Sequence, residues 1–426
     1  MLPAMSVKLQ QPSVDSTFQH FSIIFRPCMF IVELLFFIGV ATIFYSYAGY
    51  GILMVFLVQL KKLFSKKAPA GSEPFLPPVT LVVAAYNEEA FILKKIENSL
   101  ALNYPSASFR LIFISDGSND RTAEIIRRYP SIMHLHLDER NGKVAAMHRA
   151  MGFVETPYVI FSDANTLLNA ESIRNIVRHY SNDRVGGVAG EKKIMPSGTG
   201  AVAEAGEGLY WKYESFLKKL DSDLYTVVGA AGELFSVRTD LYENPGKDII
   251  LDDFVISLRI CQKGYRVAYE PHAYAMESSS SSITEESKRK VRISAGGFQS
   301  MVLLAPLLNV FRYPVLSFQY ISHRVLRWTL CPLFLPLVFV TNILLVFAHG
   351  GLFYQLFLAG QLLFYAAALA GGLMQNSPRK ISLLHLPYYF FFINYSIYLG
   401  FFRFLKGKQS VLWEKAARSE HIDPAI

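Results

Sequence analysis

A long apolar run near the N-terminus limits the fold of this chain more than any other feature. Glu33 is the only charged residue between positions 28 and 60. About 20 apolar residues suffice to cross a bilayer, so the run predicts a transmembrane helix over residues 28–60, after an N-terminal tail over 1–27. The run is too long for a signal peptide, and no small-residue cleavage site closes it.

The distribution of charge predicts where the other membrane segments lie. Charged residues make up 18% of the chain, against about a quarter in soluble proteins, and residues 61–299 hold most of the acids. After residue 300, the apolar segments 327–348, 351–373 and 384–404 predict two or three transmembrane helices within 323–404, followed by a C-terminal tail over 405–426. Residues 301–322 are apolar but broken by Pro306, Arg312 and Pro314, which favours interfacial helices on the membrane surface.

Basic residues beside the apolar segments predict the orientation. They follow the first run at Lys61, Lys62, Lys66 and Lys67. By the positive-inside rule, this basic linker (61–78) and the domain after it face the cytoplasm of a multi-pass plasma-membrane protein, and the spacing of the C-terminal segments favours a bacterial inner membrane. The loop with Arg379 and Lys380 is expected on the same side. Four full spans would then place the basic tail (Arg403, Lys406, Lys408) outside, so either 384–404 re-enters the membrane or the charge rule fails here.

The formal net charge of +8 does not indicate nucleic-acid binding. The basic residues form no stripe with interleaved aromatic residues, and their position beside apolar segments favours membrane lipids as partners. Cys28, Cys261 and Cys331 follow no zinc or disulfide spacing, so we expect them to be reduced and structural.

The middle of the chain alternates between strand and helix patterns. Residues 79–85 form a continuous apolar run bounded by polar residues, which predicts a strand buried on both faces. Helices are predicted over 89–102, 121–129, with Asp120 as N-cap, and 143–153, and strands over 111–115, 132–137 and 158–162. This alternation predicts an α/β domain with a mainly parallel sheet covered by helices.

Polar side chains follow successive strands of this sheet. Asn87 and Glu88 come after the first strand, Asp116 after the second, and Asp163 and Asn165 after a later one. Any one of them alone is typical of a turn or a helix cap. Because ligands bind at the carboxyl ends of parallel strands, three such ends together favour a binding site at this edge.

Asp163 and Asn165 are candidate ligands for a divalent metal. Two oxygen-bearing side chains two residues apart can point the same way at a strand end, and Mg²⁺ is usually held by such oxygens together with substrate phosphates. The alternative is an Asx turn that leads into a helix near residues 170–180.

Other candidate residues start helices. In Asn141-Gly142-Lys143, glycine allows a close backbone approach and the helix N-terminus attracts an anion, although the tripeptide is also common in surface turns. Asp252 and Asp253 begin a predicted helix over 252–263. They are either partners of the helix dipole or include a general base, whose pKa the neighbouring acid would raise.

Arg289 and Arg292 follow the serine run at 278–282. Basic clusters next to membrane segments usually bind lipid headgroups. The alternative is that the serine run makes a mobile lid and a guanidinium grips a diphosphate.

Six motifs, taken in order, resemble the membrane-bound members of glycosyltransferase family 2, which includes processive polysaccharide synthases and has the GT-A fold. They are Ala85-Tyr86-Asn87-Glu88, Asp116-Gly117-Ser118, Asn141-Gly142-Lys143, Asp163-Ala164-Asn165, Leu251-Asp252-Asp253 and Arg289-x-x-Arg292. The resemblance covers residues 79–300. It implies a cytoplasmic GT-A domain with a nucleotide-sugar donor, and a glycan or lipid-linked acceptor.

The resemblance also implies roles for the matching residues. The nucleotide pocket would comprise Ala85, Tyr86, Asn87, Glu88, Asp116, Lys143 and Asp163. Asp163 and Asn165 would hold Mg²⁺ or Mn²⁺ as cofactor. Asp253, beside Asp252, would be the base of an inverting transfer, Arg292 and Arg289 would stabilise the departing diphosphate, and Gly229 and Gly232 would shape the acceptor site. Tyr86 and Asp116 favour a UDP-linked donor.

The chain departs from the family pattern at three positions. Ser115 replaces one of two strand-end aspartates, Asn165 replaces the last aspartate of Asp-x-Asp, and Ile293 replaces the tryptophan of Gln-x-x-Arg-Trp. The last change puts processivity in doubt, so a single sugar addition to a polyprenyl-phosphate or glycolipid carrier stays open beside cell-envelope or extracellular polysaccharide synthesis. A catalytically inactive transferase-like subunit is the alternative of another class. A polymer channel would call for an accessory membrane subunit or a homo-oligomer.

Overall fold

The computed structural model describes residues 14–64, 75–195, 202–278, 282–374 and 382–407. Predictions that involve residues 279–281 of the serine run, most of the two tails, and Lys66, Lys67, Arg379, Lys380 and Lys408 lie outside these ranges.

The described chain forms eight strands. They are β1 (Val79–Ala85), β2 (Phe109–Asp116), β3 (Met133–Leu137), β4 (Tyr158–Asp163), β5 (Leu167–Leu168), β6 (Val185–Met195), β7 (Leu234–Arg238) and β8 (Arg266–Ser278). The four strands predicted from the sequence are β1 to β4. Every residue of β1 is buried, as its unbroken apolar pattern predicts.

Helices precede, connect and follow the strands. They are α1 (Val14–Phe44), α2 (Tyr50–Phe64), α3 (Ile92–Leu100), α4 (Thr122–Arg127), α5 (Lys143–Met151), α6 (Ser172–Val177), α7 (Val202–Leu224), α8 (Asp252–Gln262), α9 (Ile283–Leu303), α10 (Pro314–Tyr320), α11 (Leu326–Trp328), α12 (Leu330–His349), α13 (Leu352–Leu373) and α14 (Ser382–Leu405). Short 3-10 turns lie at Ser106–Ser108, Arg178–Ser181, Thr239–Leu241 and Ala305–Leu308, and π-helical turns lie at Tyr45–Gly49 and Ile321–Val325. Helix α4 begins one residue later than predicted, and Arg121 rather than Asp120 is its N-cap residue. The Asp120 carboxylate still accepts a hydrogen bond from the first helical N–H, that of Thr122, at 2.9 Å.

The strands form one mixed sheet with the order β3-β2-β1-β4-β7-β6-β8-β5. The pairings β1–β2, β1–β4, β2–β3 and β6–β8 are parallel, and the pairings of β7 and of β5 are antiparallel. Helices α3, α4 and α6 cover one face, and α5 and α8 cover the other. The predicted α/β sheet is therefore present, with antiparallel strands added on the β4 side.

Three helices in the described residues are long and apolar enough to cross a membrane. They are Met29–Phe64, which combines most of α1 with α2, then α12 and α13. Phe36 of α1 packs against Val338 and Leu345 of α12, and the Tyr354 hydroxyl donates to the Glu33 carboxylate at 2.6 Å. The one charge of the first apolar run therefore has a partner within the helix bundle, as a charge in a membrane requires.

The first apolar run extends further than predicted and also contacts the α/β domain. Tyr50 and Met54 of α2 pack against Leu217 of α7. The Lys61 ammonium donates to the carbonyl oxygens of Asp223 and Leu224, both at 2.7 Å. Because carbonyls at a helix C-terminus lack intrahelical donors, they attract this lysine, a protein contact that the sequence did not predict.

The C-terminal segments match the predicted breaks. Pro306 lies in a 3-10 turn and Pro314 begins α10, so residues 301–322 form short helices rather than one span. Helix α14 is not among the described helices that meet the length and hydropathy required for a span, and it packs against α9 and α13. The alternative in which residues 384–404 re-enter the membrane stays a prediction.

Candidate active site

The carboxyl ends of three parallel strands lie side by side. The register pairs Ala85 of β1 with Ser115 of β2, and Ala84 with Asp163 of β4. Ala85, Asp116 and Asp163 therefore stand in one row at the sheet edge, as the sequence predicted. This row forms the floor of the candidate site.

A small open cleft lies above β1 and β2. Its lining comprises Ala84, Ala85, Tyr86, Asp116, Arg140, Gly142, Lys143 and Ala146. Four predicted nucleotide-site residues, Ala85, Tyr86, Asp116 and Lys143, are thus brought together.

Arg140 is a cleft residue that the sequence analysis missed. Its guanidinium lies 3.7 Å from the centre of the Tyr86 ring, a distance at which the cation attracts the ring face. Gly117, with φ +67°, lies so close that an added Cβ would be 2.6 Å from Arg140 Cβ. The cation directly before Asn141-Gly142-Lys143 was the available signal.

Asn87 and Glu88 do not line this cleft but support the turn after β2. Asn87, with φ +52°, accepts a hydrogen bond from Asn119 N at 3.0 Å. Its own N–H donates to Ser118 Oγ at 3.1 Å, and Glu88 N donates to Thr122 Oγ1 at 2.8 Å. These contacts hold the first strand-end turn against the second.

Asp116 fixes the loop that leads into α5. Its Oδ2 accepts hydrogen bonds from Asn141 N at 2.9 Å and Gly142 N at 2.7 Å. Gly142 has φ +89°, a conformation that favours glycine. The loop therefore directs Lys143, the first residue of α5, toward the strand ends.

Lys143 and Asp163 form an ion pair in the site. Lys143 Nζ lies 2.6 Å from Asp163 Oδ1. Although burial alone would lower it, Asp163 and Asp252 hold the pKa of Lys143 above its ordinary value. Burial raises the pKa of Asp163, and Lys143 opposes that effect. The site thus contains an ammonium group, that of Lys143, which can bind an anion, and a carboxylate, that of Asp163, which can bind a cation.

Asn165 offers an oxygen suited to a metal ion. Its Oδ1 is buried and, among the described residues, has no hydrogen-bond partner, a costly state that a cation would relieve. The described part of the chain contains no cluster of three or more His, Cys, Asp or Glu that could hold a metal. Asp163 and Asn165 therefore fit a metal that takes its remaining ligands from a substrate.

A buried lysine under this motif was not predicted. Lys95 of α3 is fully buried, and its Nζ donates to Ser162 Oγ at 2.7 Å and to Thr166 O at 2.9 Å. Burial lowers the pKa of Lys95 to about 7, and Asp163 acts against this shift. The Lys95 side chain thus bonds to Ser162 and Thr166, the residues directly before and after Asp163–Asn165.

Asp252 and Asp253 begin α8 at the other side of the site. Asp252 is buried, whereas Asp253 is partly open. Burial and then Asp252 raise the pKa of Asp253 to about 7. A Cβ placed on Gly232 would lie 3.5 Å from Asp253 Oδ2 and 3.2 Å from Lys143 Nζ. Gly232 thus keeps open the space between this carboxylate and the ammonium.

Gly229 plays a different part from Gly232. With φ +89°, its added Cβ would be only 2.1 Å from Phe254 Cδ2. The turn at 229–232 therefore packs on the residue next to Asp253. Ala230 N also donates to Ser257 Oγ of α8 at 3.1 Å, so the turn and the helix start are held together.

Glu233 and Lys192 extend the site and were not predicted. Lys192 has a fully buried side chain and forms ion pairs with Glu233 and Glu277. Arg289 lies 3.8 Å from Glu233 and 3.4 Å from Glu286. Although burial raises it, Lys192 and Arg289 hold the pKa of Glu233 well below its ordinary value. Arg289 is therefore held by acids beside the turn at 229–232.

Arg292 is largely enclosed near the acids of the site. Burial and Arg289 lower the pKa of Arg292, while Asp252 and Asp163 act in the opposite direction. The two arginines of the predicted run are thus close together. Arg292 also lies near enough to the carboxylates of Asp163 and Asp252 for their charges to raise its pKa.

A buried charge cluster lies between α7 and the segment before α12. His323 Nδ1 lies 2.6 Å from Asp221 Oδ2. Glu214 lies 3.0 Å from Arg324 and 2.6 Å from Arg327. We name these five residues the α7 charge cluster.

The α7 charge cluster connects the membrane helices with the site. Arg327 Nε donates to Ser46 O of the first apolar helix at 3.1 Å. Arg324 Nε donates to Val228 O, directly before Gly229, at 3.3 Å. The turn beside Asp253 is therefore attached to the helix bundle through arginines.

Comparison with known proteins agrees with this arrangement. A family model described as "Glycosyl transferase family 2" matches residues 80–244, which include the strand-end row and the cleft. The poly-beta-1,6-N-acetyl-D-glucosamine synthase of Staphylococcus aureus is 27% identical over 263 residues, which cover 58% of this chain and 61% of that protein. The Staphylococcus epidermidis synthase of the same name is 24% identical, covering 56% of this chain and 58% of that protein. The match thus spans about three-fifths of these relatives.

A solved structure extends the likeness beyond the α/β domain. The mannosyltransferase PcManGT from Pyrobaculum calidifontis, in complex with GDP-Man and Mn²⁺, superposes with a TM-score of 0.64. The superposition covers 88% of this chain and 99% of that chain at 19% identity. At this identity the likeness concerns the fold, which includes part of the helical region.

Proposed function

Since residues 80–244 form a glycosyl transferase family 2 domain on a GT-A fold, we propose that the protein transfers a sugar, with inversion, from a nucleotide-sugar donor to a glycan or glycolipid acceptor at the membrane. The observation that carries this proposal is the position of Asp253. Its carboxylate, with a pKa of about 7, lies across Gly232 from the Lys143–Asp163 pair.

The donor would occupy the cleft above β1 and β2. Its base would lie beside Tyr86 and Asp116, and its diphosphate would contact the Lys143 ammonium at the start of α5, where a helix N-terminus also favours an anion. We propose UDP as the carrier, following the resemblance of Tyr86 and Asp116 to the family pattern. The S. aureus and S. epidermidis relatives are named for an N-acetylglucosamine polymer, which supports a hexosamine donor.

Asp163 and Asn165 would hold Mg²⁺ or Mn²⁺ on the donor. Such an ion neutralises diphosphate charge and so eases its departure. The orphaned Asn165 oxygen supports this role, and PcManGT was solved with Mn²⁺. Lys143 would pass from Asp163 to a phosphate oxygen when the donor binds.

Transfer would follow from proton acceptance by Asp253. The acceptor hydroxyl gives its proton to the carboxylate, its oxygen forms a bond to the anomeric carbon, and the bond from that carbon to the diphosphate oxygen breaks. A base with a pKa close to the operating pH suits this task. Arg292, with Arg289, would stabilise the negative charge that develops on the leaving diphosphate.

The acceptor would enter from the membrane side. The α7 charge cluster attaches the turn at 229–232 to the helix bundle, which supports an acceptor that is itself bound to lipid or passes between helices. The names of the S. aureus and S. epidermidis relatives, which are polysaccharide synthases, support polysaccharide synthesis as the first candidate. A single addition to a lipid carrier remains the second candidate, since the Trp of the processive motif is Ile293 here.

Nucleotide release from a panel of sugar donors tests the proposal. The purified protein in lipid nanodiscs would be assayed with UDP- and GDP-linked sugars, with and without Mn²⁺, and with a membrane lipid extract as acceptor source. We expect release from one donor only, dependent on metal. Absence of release from every donor, by a protein that binds nucleotide, would instead support an inactive transferase-like subunit.

A further inference from the structure

Two π-helical turns are in contact where the membrane helices join the α/β domain. One is Tyr45–Gly49, between α1 and α2, and the other is Ile321–Val325, between α10 and α11. The Tyr45 hydroxyl lies 2.8 Å from Ser322 Oγ. π-helical residues make up less than about 1% of globular proteins, and isolated turns of this kind are frequent at functional sites. A contact between two of them, which we name the π-turn joint, therefore calls for a functional explanation.

Asp221 of α7 holds both turns of the π-turn joint at one buried carboxylate. Its Oδ1 accepts a hydrogen bond at 2.5 Å from the hydroxyl of Tyr50, the residue directly after the first turn. Its Oδ2 lies 2.6 Å from Nδ1 of His323, in the second turn. All three side chains are fully buried. The two turns therefore keep a fixed position relative to α7 of the α/β domain.

Arg324 connects the π-turn joint with the turn beside Asp253. It follows His323 in the second π-helical turn, and its Nη1 donates to Glu214 Oε2 at 3.0 Å. Its Nε donates to Val228 O at 3.3 Å. Because the guanidinium is planar and rigid, these two donors keep a fixed spacing. The carbonyl of Val228 is therefore held at a set distance from α7 and from the joint.

The turn that starts after Val228 borders the candidate base. Gly229, with φ +89°, packs on Phe254, and a Cβ on Gly232 would lie 3.5 Å from Asp253 Oδ2. Catalysis depends on such distances, since a displacement of about 1 Å can lower a rate about a hundredfold. A shift of the Val228 carbonyl would therefore change the space between Gly232 and Asp253.

Stability alone does not explain the α7 charge cluster that surrounds the joint. Taking charged groups out of water is so costly that replacing buried ion pairs by apolar residues is often neutral or stabilising. Gln319, whose Nε2 donates to Asp221 O at 2.9 Å, also leaves its Oε1 buried and without a hydrogen-bond partner among the described residues. An arrangement of this kind is better explained by the geometry that it fixes than by the stability that it contributes.

We propose that Arg324 is a positioning residue for sugar transfer, through which the π-turn joint sets the place of the turn at 229–232 relative to Asp253. This inference rests on the proposed function. Transfer then depends on how the membrane helices are seated on the α/β domain. Donor binding does not depend on it, because neither Val228 nor Glu214, the two bonding partners of Arg324, lines the nucleotide cleft.

Kinetics of the full chain in nanodiscs, with Mn²⁺, separate positioning from stability. Arg324→Met removes both bonds, and we expect kcat for nucleotide release with acceptor to fall at least about tenfold. Arg324→Lys keeps a positive charge beside Glu214 but lacks the two-pronged donor. It should keep the melting temperature close to the wild-type value and still lower kcat at least about fivefold. In both variants the nucleotide dissociation constant in calorimetry should stay within about twofold of wild type.

A double-mutant cycle tests whether the joint acts through Arg324. Tyr50→Phe removes only the hydroxyl that bonds to Asp221 and should lower kcat about threefold or more. In the Arg324→Met background it should lower kcat no further, since the connection is already lost, whereas independent structural effects would multiply. Tyr354→Phe is the matched control. It removes another tyrosine–carboxylate bond of the helix bundle, that to Glu33 at 2.6 Å, and should leave kcat unchanged.

The possible failures are distinct. A wild-type kcat in the Arg324 variants, effects of Tyr50→Phe and Arg324→Met that multiply, or an equal loss of kcat in Tyr354→Phe would overturn the positioning role and leave the transferase proposal standing. The lysine variant and Tyr50→Phe decide the test if Arg324→Met does not fold. A wild type that binds no nucleotide and releases none from any sugar donor would overturn the proposed function itself.

Discussion

Replacing Asp253 by asparagine should nearly abolish transfer while donor binding is retained. The amide cannot accept the proton of an acceptor hydroxyl, and the loss of a general base typically lowers a rate by about 10² to 10⁴. Asp253 lies across Gly232 from Lys143 rather than in the nucleotide cleft. We therefore expect the nucleotide dissociation constant to stay within about threefold of the wild-type value, a difference below about 1 kcal/mol.

The pH dependence of the wild type follows from the raised pKa of Asp253. Only the ionised carboxylate accepts a proton, so the rate should rise with pH and level off above about 7. At pH 6 about one carboxylate in eleven is ionised, which corresponds to a roughly tenfold lower rate. The residual rate of Asp253→Asn should lack this limb.

The same pKa shift predicts a gain in stability for Asp253→Asn. The folded pKa of about 7 exceeds the value of about 3.9 expected in the unfolded chain, so ionisation destabilises the fold increasingly between about pH 4 and 7. At pH 8 the variant should be more stable by up to about 4 kcal/mol, and near pH 4 the two proteins should be alike.

The assay is nucleotide release over pH 5.5–9, together with calorimetric nucleotide binding and thermal unfolding at pH 4 and 8. Asp183→Asn, at an exposed position, is the matched control and should behave as wild type. An Asp253→Asn variant with turnover within a factor of about three of wild type, or with a rate that still follows a group titrating near pH 7, would refute the role of Asp253 as base.

Further predictions concern the metal motif, its support and the attachment to the membrane helices. Asn165→Ala should weaken Mn²⁺-dependent UDP binding about tenfold but leave metal-free binding unchanged, and an equal loss under both conditions in calorimetry would argue for a structural role. Lys95→Met should lower kcat/KM at least about tenfold while the melting temperature changes little. The methionine loses the hydrogen bonds of Lys95 but also removes the cost of burying an ammonium group, so the two effects offset each other. Unchanged kinetics would show that Lys95 does not support the site. Glu214→Gln should destabilise the protein by about 3–5 kcal/mol, since it leaves buried arginines without their counter-charge. Chemical denaturation in nanodiscs measures this change, and a stability equal to that of the wild type would contradict it. Gly229→Ala should lower both stability and turnover through its overlap with Phe254, and the reduction should be smaller in a background of Phe254→Ala if that contact is the cause.

Much of the fold could be predicted from sequence because its signals are local. The unbroken apolar pattern of residues 79–85 predicted β1, and the alternation that follows predicted the parallel half of the sheet. The resemblance to glycosyltransferase family 2 and the GT-A fold are both confirmed. The buried state of Cys261 and Cys331 as free thiols is also as predicted.

Other parts depend on contacts between distant segments and left no local signal. From its sequence neighbours, Lys95 would be predicted as a surface residue of an amphipathic helix. Only the packing of α3 against the turn after β4 shows that it is buried. Lys61 would be predicted to face lipid headgroups, but in the fold it contacts the carbonyl oxygens at the C-terminus of α7. Glu233 likewise acquires its surroundings only when the turn at 229–232 meets Lys192 of β6. The assignments of individual site residues remain predictions.

Proton NMR of the product distinguishes inverting transfer with Asp253 as base from every other role of this residue. The reaction would contain the full-length protein in nanodiscs, Mn²⁺, the accepted α-linked donor and its acceptor. We expect a β-linked product that accumulates together with the free nucleoside diphosphate, and no such product with Asp253→Asn. An α-linked product, or donor that is consumed equally by the Asp253→Asn variant, would refute inverting transfer by Asp253.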